Sequence, residues 1–119
     1  MASPIDPTLA KHLIKEYQHE NSAPHGLALK TPDGSFINGF FIDRASLEAI
    51  FAANPEAVGI SINLAKHPEF SGKPDKVYTI AFSGAATNTE PGEKAPYIRC
   101  GDFYCAPPPC PPWCMDPHR

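Results

Sequence analysis

The sequence predicts an α+β fold: two helices on one face of a three- to four-stranded, mainly antiparallel sheet, followed by an extended Pro/Cys-rich C-terminal tail. Three observations carry this. Two aspartates stand as caps before amphipathic stripes, one stretch alternates apolar and polar residues, and proline and cysteine crowd together after residue 90.

The first cap is Asp6, followed by Pro7, whose fixed φ suits the first helical position. Leu9, Leu13, Ile14 and Tyr17 then recur at helical spacing and predict a helix to Glu20, stopped by Asn21-Ser22-Ala23-Pro24. Gly26 to Lys30 reads as a short strand, Thr31-Pro32-Asp33-Gly34 as a turn, and Ser35 to Ile42 as the returning strand of a hairpin. Asp43 caps a second helix with Leu47, Ile50 and Phe51 on its apolar side, ending near Asn54-Pro55.

Val58, Ile60, Ile62 and Leu64 alternate with Gly59, Ser61, Asn63 and Ala65, the pattern of a strand with one buried face. After a polar loop from His67 to Asp75, Lys76 to Ser83 reads as another strand with Tyr78, Ile80 and Phe82 on one face. Gly84 to Pro96 reads as a polar loop, and Tyr97-Ile98-Arg99 as a short edge strand. The expected division is a compact α+β domain over 1–99 and a tail over 100–119.

A chain of 119 residues can bury one modest core. Its composition, 42% hydrophobic and 19% charged, is that of a globular protein and not of a disordered one. The net charge is -3 and the ten basic residues are scattered singly, so no nucleic-acid partner is expected. No polybasic segment and no bilayer-length apolar run occurs, so no membrane contact is expected either. The N-terminus lacks the charged and apolar regions of a signal peptide, which predicts a cytoplasmic protein and leaves export by a signal-independent route open. There is no Gly-rich phosphate loop, nucleophile elbow or zincin helix; no enzyme and no catalytic residue is expected.

The tail holds all four cysteines, Cys100, Cys105, Cys110 and Cys114, with five prolines between Cys105 and Cys114. Proline fixes φ and removes amide donors, so the segment is extended, polyproline-like or turned, neither helical nor a central strand. Its thiols have three chemical fates. Four thiolates suit tetrahedral zinc or iron, with His118 able to replace one, although the spacing is not that of two ligand pairs. Disulfides have three pairings, among which the sequence does not choose. A folded front part with a short Cys-rich end also has the layout of a precursor of a modified peptide. Free thiols on an interaction tail are the remaining reading.

Gly39-Phe40-Phe41-Ile42-Asp43, Ala57-Val58-Gly59-Ile60, Tyr78-Thr79-Ile80-Ala81-Phe82-Ser83-Gly84 and Cys110-Pro111-Pro112-Trp113-Cys114 together resemble a family of small uncharacterised bacterial α+β proteins. The resemblance spans roughly residues 36–114. It implies a compact α+β body and a terminal Cys-Pro-Pro-x-Cys-like element, and brings no activity or ligand with it.

Two further groups stand out. His12, Glu16 and His19 share one flank of the first helix, a weak metal-ligating set that also suits a solvated face. Tyr97, Phe103, Tyr104 and Trp113 are interaction candidates, since aromatic residues supply contact area at low entropic cost. The expected function is a non-enzymatic structural or protein-interaction module whose rigid Cys/Pro tail mediates assembly or partner contact, self-association included. The alternatives are a zinc- or iron-binding protein using the tail cysteines, and a modified-peptide precursor.

Overall fold

In a computed structural model the chain is described over residues 2–22, 28–92 and 95–116. The first helix, α1 (Pro7–Glu20), begins where the sequence places its cap: the Asp6 carboxylate accepts from the Leu9 amide at 3.3 Å. At its other end Asn21 is completely buried. The Asn21 Nδ2 donates to the Leu29 carbonyl at 3.1 Å and the Ile37 carbonyl at 2.8 Å, and its Oδ1 accepts from the Leu29 amide at 2.9 Å. The Tyr17 hydroxyl donates to the same Ile37 carbonyl at 3.1 Å, and burial raises its phenol above the ordinary value. α1 is thus fastened by its last turn, while Leu9, Leu13 and Ile14 stay exposed.

The expected turn at Thr31–Gly34 is present. The Gly34 amide donates to the Thr31 carbonyl at 3.0 Å, and Gly34 adopts φ +89°, the left-handed region that glycine enters without strain. The Asp33 carboxylate accepts from the Thr31 hydroxyl and from the Ser35 amide, and these bonds hold its carboxyl below the ordinary range. The hairpin itself is a single bridge between Lys30 and Phe36, with residues 26 and 27 outside the described set. The returning strand, expected over Ser35 to Ile42, is reduced to β1 (Gly39–Phe40). Beyond Ile37 the backbone leaves the Lys30 side: the Asn38 and Phe41 amides donate instead to carbonyls of Cys110 and Pro108.

The second helix, α2 (Arg44–Ala53), is capped by Asp43, which accepts from the Ser46 amide at 3.0 Å and the Ser46 hydroxyl at 2.5 Å. These two bonds hold the Asp43 carboxyl below the ordinary carboxylate range. A three-stranded antiparallel sheet follows, made of β2 (Ala57–Lys66), β3 (Tyr78–Thr87) and β4 (Tyr97–Cys105), with β3 in the centre. A 3₁₀ turn at Pro68–Phe70 lies in the loop between β2 and β3. The β2–β3 register places Ile60, Ile62 and Leu64 on the same face as Gly84, Phe82 and Ile80. α2 packs on this face through Ile50, which closes a core with Ile80 and Phe82; Phe40, Ile42 and Ile60 pack around it. Ile50→Val removes one methylene from this centre and is expected to lower stability by about 1 kcal/mol, read from the urea midpoint.

The sheet departs from the sequence reading in three places. β3 runs on through Gly84-Ala85-Ala86-Thr87, where a loop was expected. The reason is close approach: a Cβ on Gly84 would stand 3.2 Å from Ile50 Cγ2 and 3.0 Å from Cys100 Sγ. Small residues there reflect tight packing and not a turn. β4 extends far beyond Tyr97-Ile98-Arg99, so the Cys/Pro segment begins as the outer strand of the sheet and leaves it after Cys105. Last, the alternating strand β2 does not bury its apolar side. Only Ile60 joins the core, while Val58, Ile62 and Leu64 are 63%, 55% and 82% exposed. The ten-residue α2 covers only part of this face, and α1 is fastened elsewhere. Among the described residues, no helix is long and apolar enough to cross a membrane.

Candidate functional site

The proline run after β4 folds back on the body. Ala106 turns the chain off the sheet with φ +55°, its amide donating to the Ile80 carbonyl at 3.3 Å. A two-residue strand, β5 (Pro109–Cys110), then pairs antiparallel with β1, Gly39 opposite Cys110 and Phe40 opposite Pro109. Proline offers no amide, so its neighbours supply carbonyls. Phe41 donates to Pro108 at 2.8 Å, Asn38 to Cys110 at 2.7 Å, and Trp113 folds its own amide back to Pro109 at 2.9 Å.

Cys110 and Cys114 close this turn as a disulfide, with their Cα atoms 4.7 Å apart, inside the range a bridge requires. The ring holds Trp113 stacked on Phe41, ring centres 5.9 Å apart. Trp113 is 56% and Met115 77% exposed, so Trp113 stands at the surface of a covalently closed loop and Met115 directly after it. Behind the proline run lies a cleft of about 260 Å³ walled by Phe40, His67, Tyr78, Pro108 and Trp113.

The other two cysteines are free and separate. Cys100 lies opposite Gly84 and Cys105 opposite Ala81. Those β3 positions are an odd number of residues apart, so the two thiols face opposite sides of the sheet. Partial burial raises the Cys100 thiol above its ordinary value, and the carboxylate of Glu56 beside it pushes it further. It is therefore held as the protonated, weakly nucleophilic form. Among the described residues, no group of three or more His, Cys, Asp or Glu side chains converges to hold a metal. His12 and Glu16 form an exposed i,i+4 pair at 3.5 Å, and His19 lies in the last turn of α1. His118 lies outside the described residues.

The four aromatic candidates divide. Tyr104 turns to the core face and stacks on Phe82, ring centres 5.7 Å apart. Phe103 is exposed beneath the Arg99 guanidinium, 4.9 Å from its ring centre, and Tyr97 is exposed at the start of β4. Only Trp113 belongs to the closed loop. Sequence reasoning missed Phe41 and Met115 as its companions. Met115 directly follows the last cysteine and was legible; Phe41 was not, because it reaches the loop only through strand pairing distant in sequence. No protein-family model, curated protein or solved structure matches the chain.

Proposed function

We propose that the chain is a non-enzymatic structural or protein-interaction module whose rigid Cys/Pro loop contacts a protein partner. The observation that carries this reading is the fastened ring that holds exposed Trp113 against Phe41, with exposed Met115 directly after it. Methionine is enriched in interfaces, and tryptophan is among the residues that carry most of their binding energy. Most of the entropy of ordering such a loop is already removed by the disulfide and the pairing with β1, so little of it opposes binding. The reading needs no reactive thiol, in keeping with the raised Cys100.

The test is site-specific photo-crosslinking in cells that make the protein. A photoreactive side chain at Met115 is expected to give one discrete adduct, abolished by adding Trp113→Ala. The same probe at exposed Glu69 serves as comparison. Diffuse labelling of equal intensity from both positions would overturn the reading.

A further inference from the structure

We infer that a second copy of this chain pairs with the outer edge of β2, joining two three-stranded sheets into one six-stranded sheet. This surface is separate from the Trp113 loop. β2 is an edge strand of ten residues with no proline and a single charge, Lys66, at its end. Natural edges of that length are normally guarded by charge, proline or a covering element. Its apolar side is the most regular pattern in the sequence, yet Ile62 and Leu64 remain exposed.

The occupant is argued from surface area. A compact monomer of 12.9 kDa exposes about 6,300 Å². This chain exposes 8536 Å². The excess, summed over the whole chain, exceeds the share of about 800 Å² per partner that a stable interface hides. A second copy is also chemically suited, because β2 is self-complementary. In a two-fold antiparallel pair, residues opposite each other share a face. Apolar therefore meets apolar only if even positions face even positions. Centring the axis on Asn63 sets Ile62 opposite the partner copy's Leu64, sets Leu64 opposite its Ile62, and brings the two Asn63 amides together on the other face. Lys66 then lies opposite Ile60, so no like charges meet. This register gives Ile62 and Leu64 apolar neighbours across the seam and leaves Val58 beyond it.

Sedimentation and light scattering of the purified chain are expected to give twice 12.9 kDa. Leu64→Lys and, independently, Ile62→Lys should halve that mass while leaving the far-UV circular dichroism unchanged, since both side chains are already exposed. Trp113→Ala, which removes exposed apolar surface elsewhere, should leave the dimer intact, so this inference and the loop reading fail separately. In a Cys100→Ser, Cys105→Ser background, Asn63→Cys is expected to form a disulfide-linked dimer on oxidation and Ser61→Cys is not, because only position 63 faces itself within bridging range. A wild-type monomer, a dimer that survives both lysine variants, or equal crosslinking at 61 and 63 would each overturn the inference.

Discussion

Asn21→Leu is expected to lower the stability of the chain by about 3 kcal/mol: three hydrogen bonds worth about 1 kcal/mol each are lost and the Leu29 amide is left unpaired, while the Leu29 carbonyl keeps the Ile37 amide and the Ile37 carbonyl keeps the Tyr17 hydroxyl. The side chain is completely buried and serves the Leu29 carbonyl, the Leu29 amide and the Ile37 carbonyl at once. Leucine matches its size but offers none of these bonds, and water does not reach the site to replace them. α1 should loosen first, because Tyr17 alone would then tie it to Ile37. Hydrogen exchange of the α1 amides should accelerate more than that of β3. Asn21→Asp is a sharper probe: it keeps the acceptor for Leu29 but turns a charge toward two carbonyls, and should be at least as damaging. Urea denaturation measures both. A loss below about 1 kcal/mol would mean that this hub does not hold α1 to the body.

Gly101→Ala is the second large effect, expected at about 3 kcal/mol from two sources of similar size. Gly101 has φ +75°, where a Cβ meets the backbone. That Cβ would also lie 2.5 Å from Asn54 Nδ2 and 2.7 Å from Asn54 Oδ1. Asn54 is not free to swing away, because as the C-cap of α2 it donates to the Ile50 carbonyl at 2.9 Å. The irregular register of β4 against Phe82 and Gly84 thus seats the strand on the end of α2, and only glycine fits between them. A double-mutant cycle separates the sources. Adding Asn54→Ala should recover part of the loss, since it removes the overlap and leaves the backbone strain. A double variant no more stable than Gly101→Ala would show that the overlap is not what matters.

Much of the fold is written locally, and what is not local was not legible. Asp6-Pro7 and Asp43 announce their helices because a cap acts within three residues: Leu9 and Ser46 are the amides they satisfy. The alternation at Val58–Ala65 and the Tyr78, Ile80, Phe82 series identify two strands for the same reason. Gly84-Ala85-Ala86 was unreadable because small residues mark both loops and tight packing, and only the position of Ile50 decides. Asn21 was legible as a helix stop, but its burial depends on Leu29 and Ile37 converging on it. In the candidate site, the composition pointed to cysteine chemistry and to Trp113. It did not choose the Cys110–Cys114 pairing or the attachment to β1, since both follow from where the proline run lands.

The attachment of β5 to β1 also sets an order of events during synthesis. β1 leaves the ribosome early, and its partner β5 is made some seventy residues later. The strands of the sheet pair with one another, and Ile50 meets Ile80 and Phe82, without any contribution from β5. The amides of Asn38 and Phe41 must wait for the carbonyls of Cys110 and Pro108. A chain terminated and released near residue 106 would therefore carry a formed sheet beside an unpaired segment at 38–41. That segment stays open to a protease or chaperone until residues 108–110 close over it.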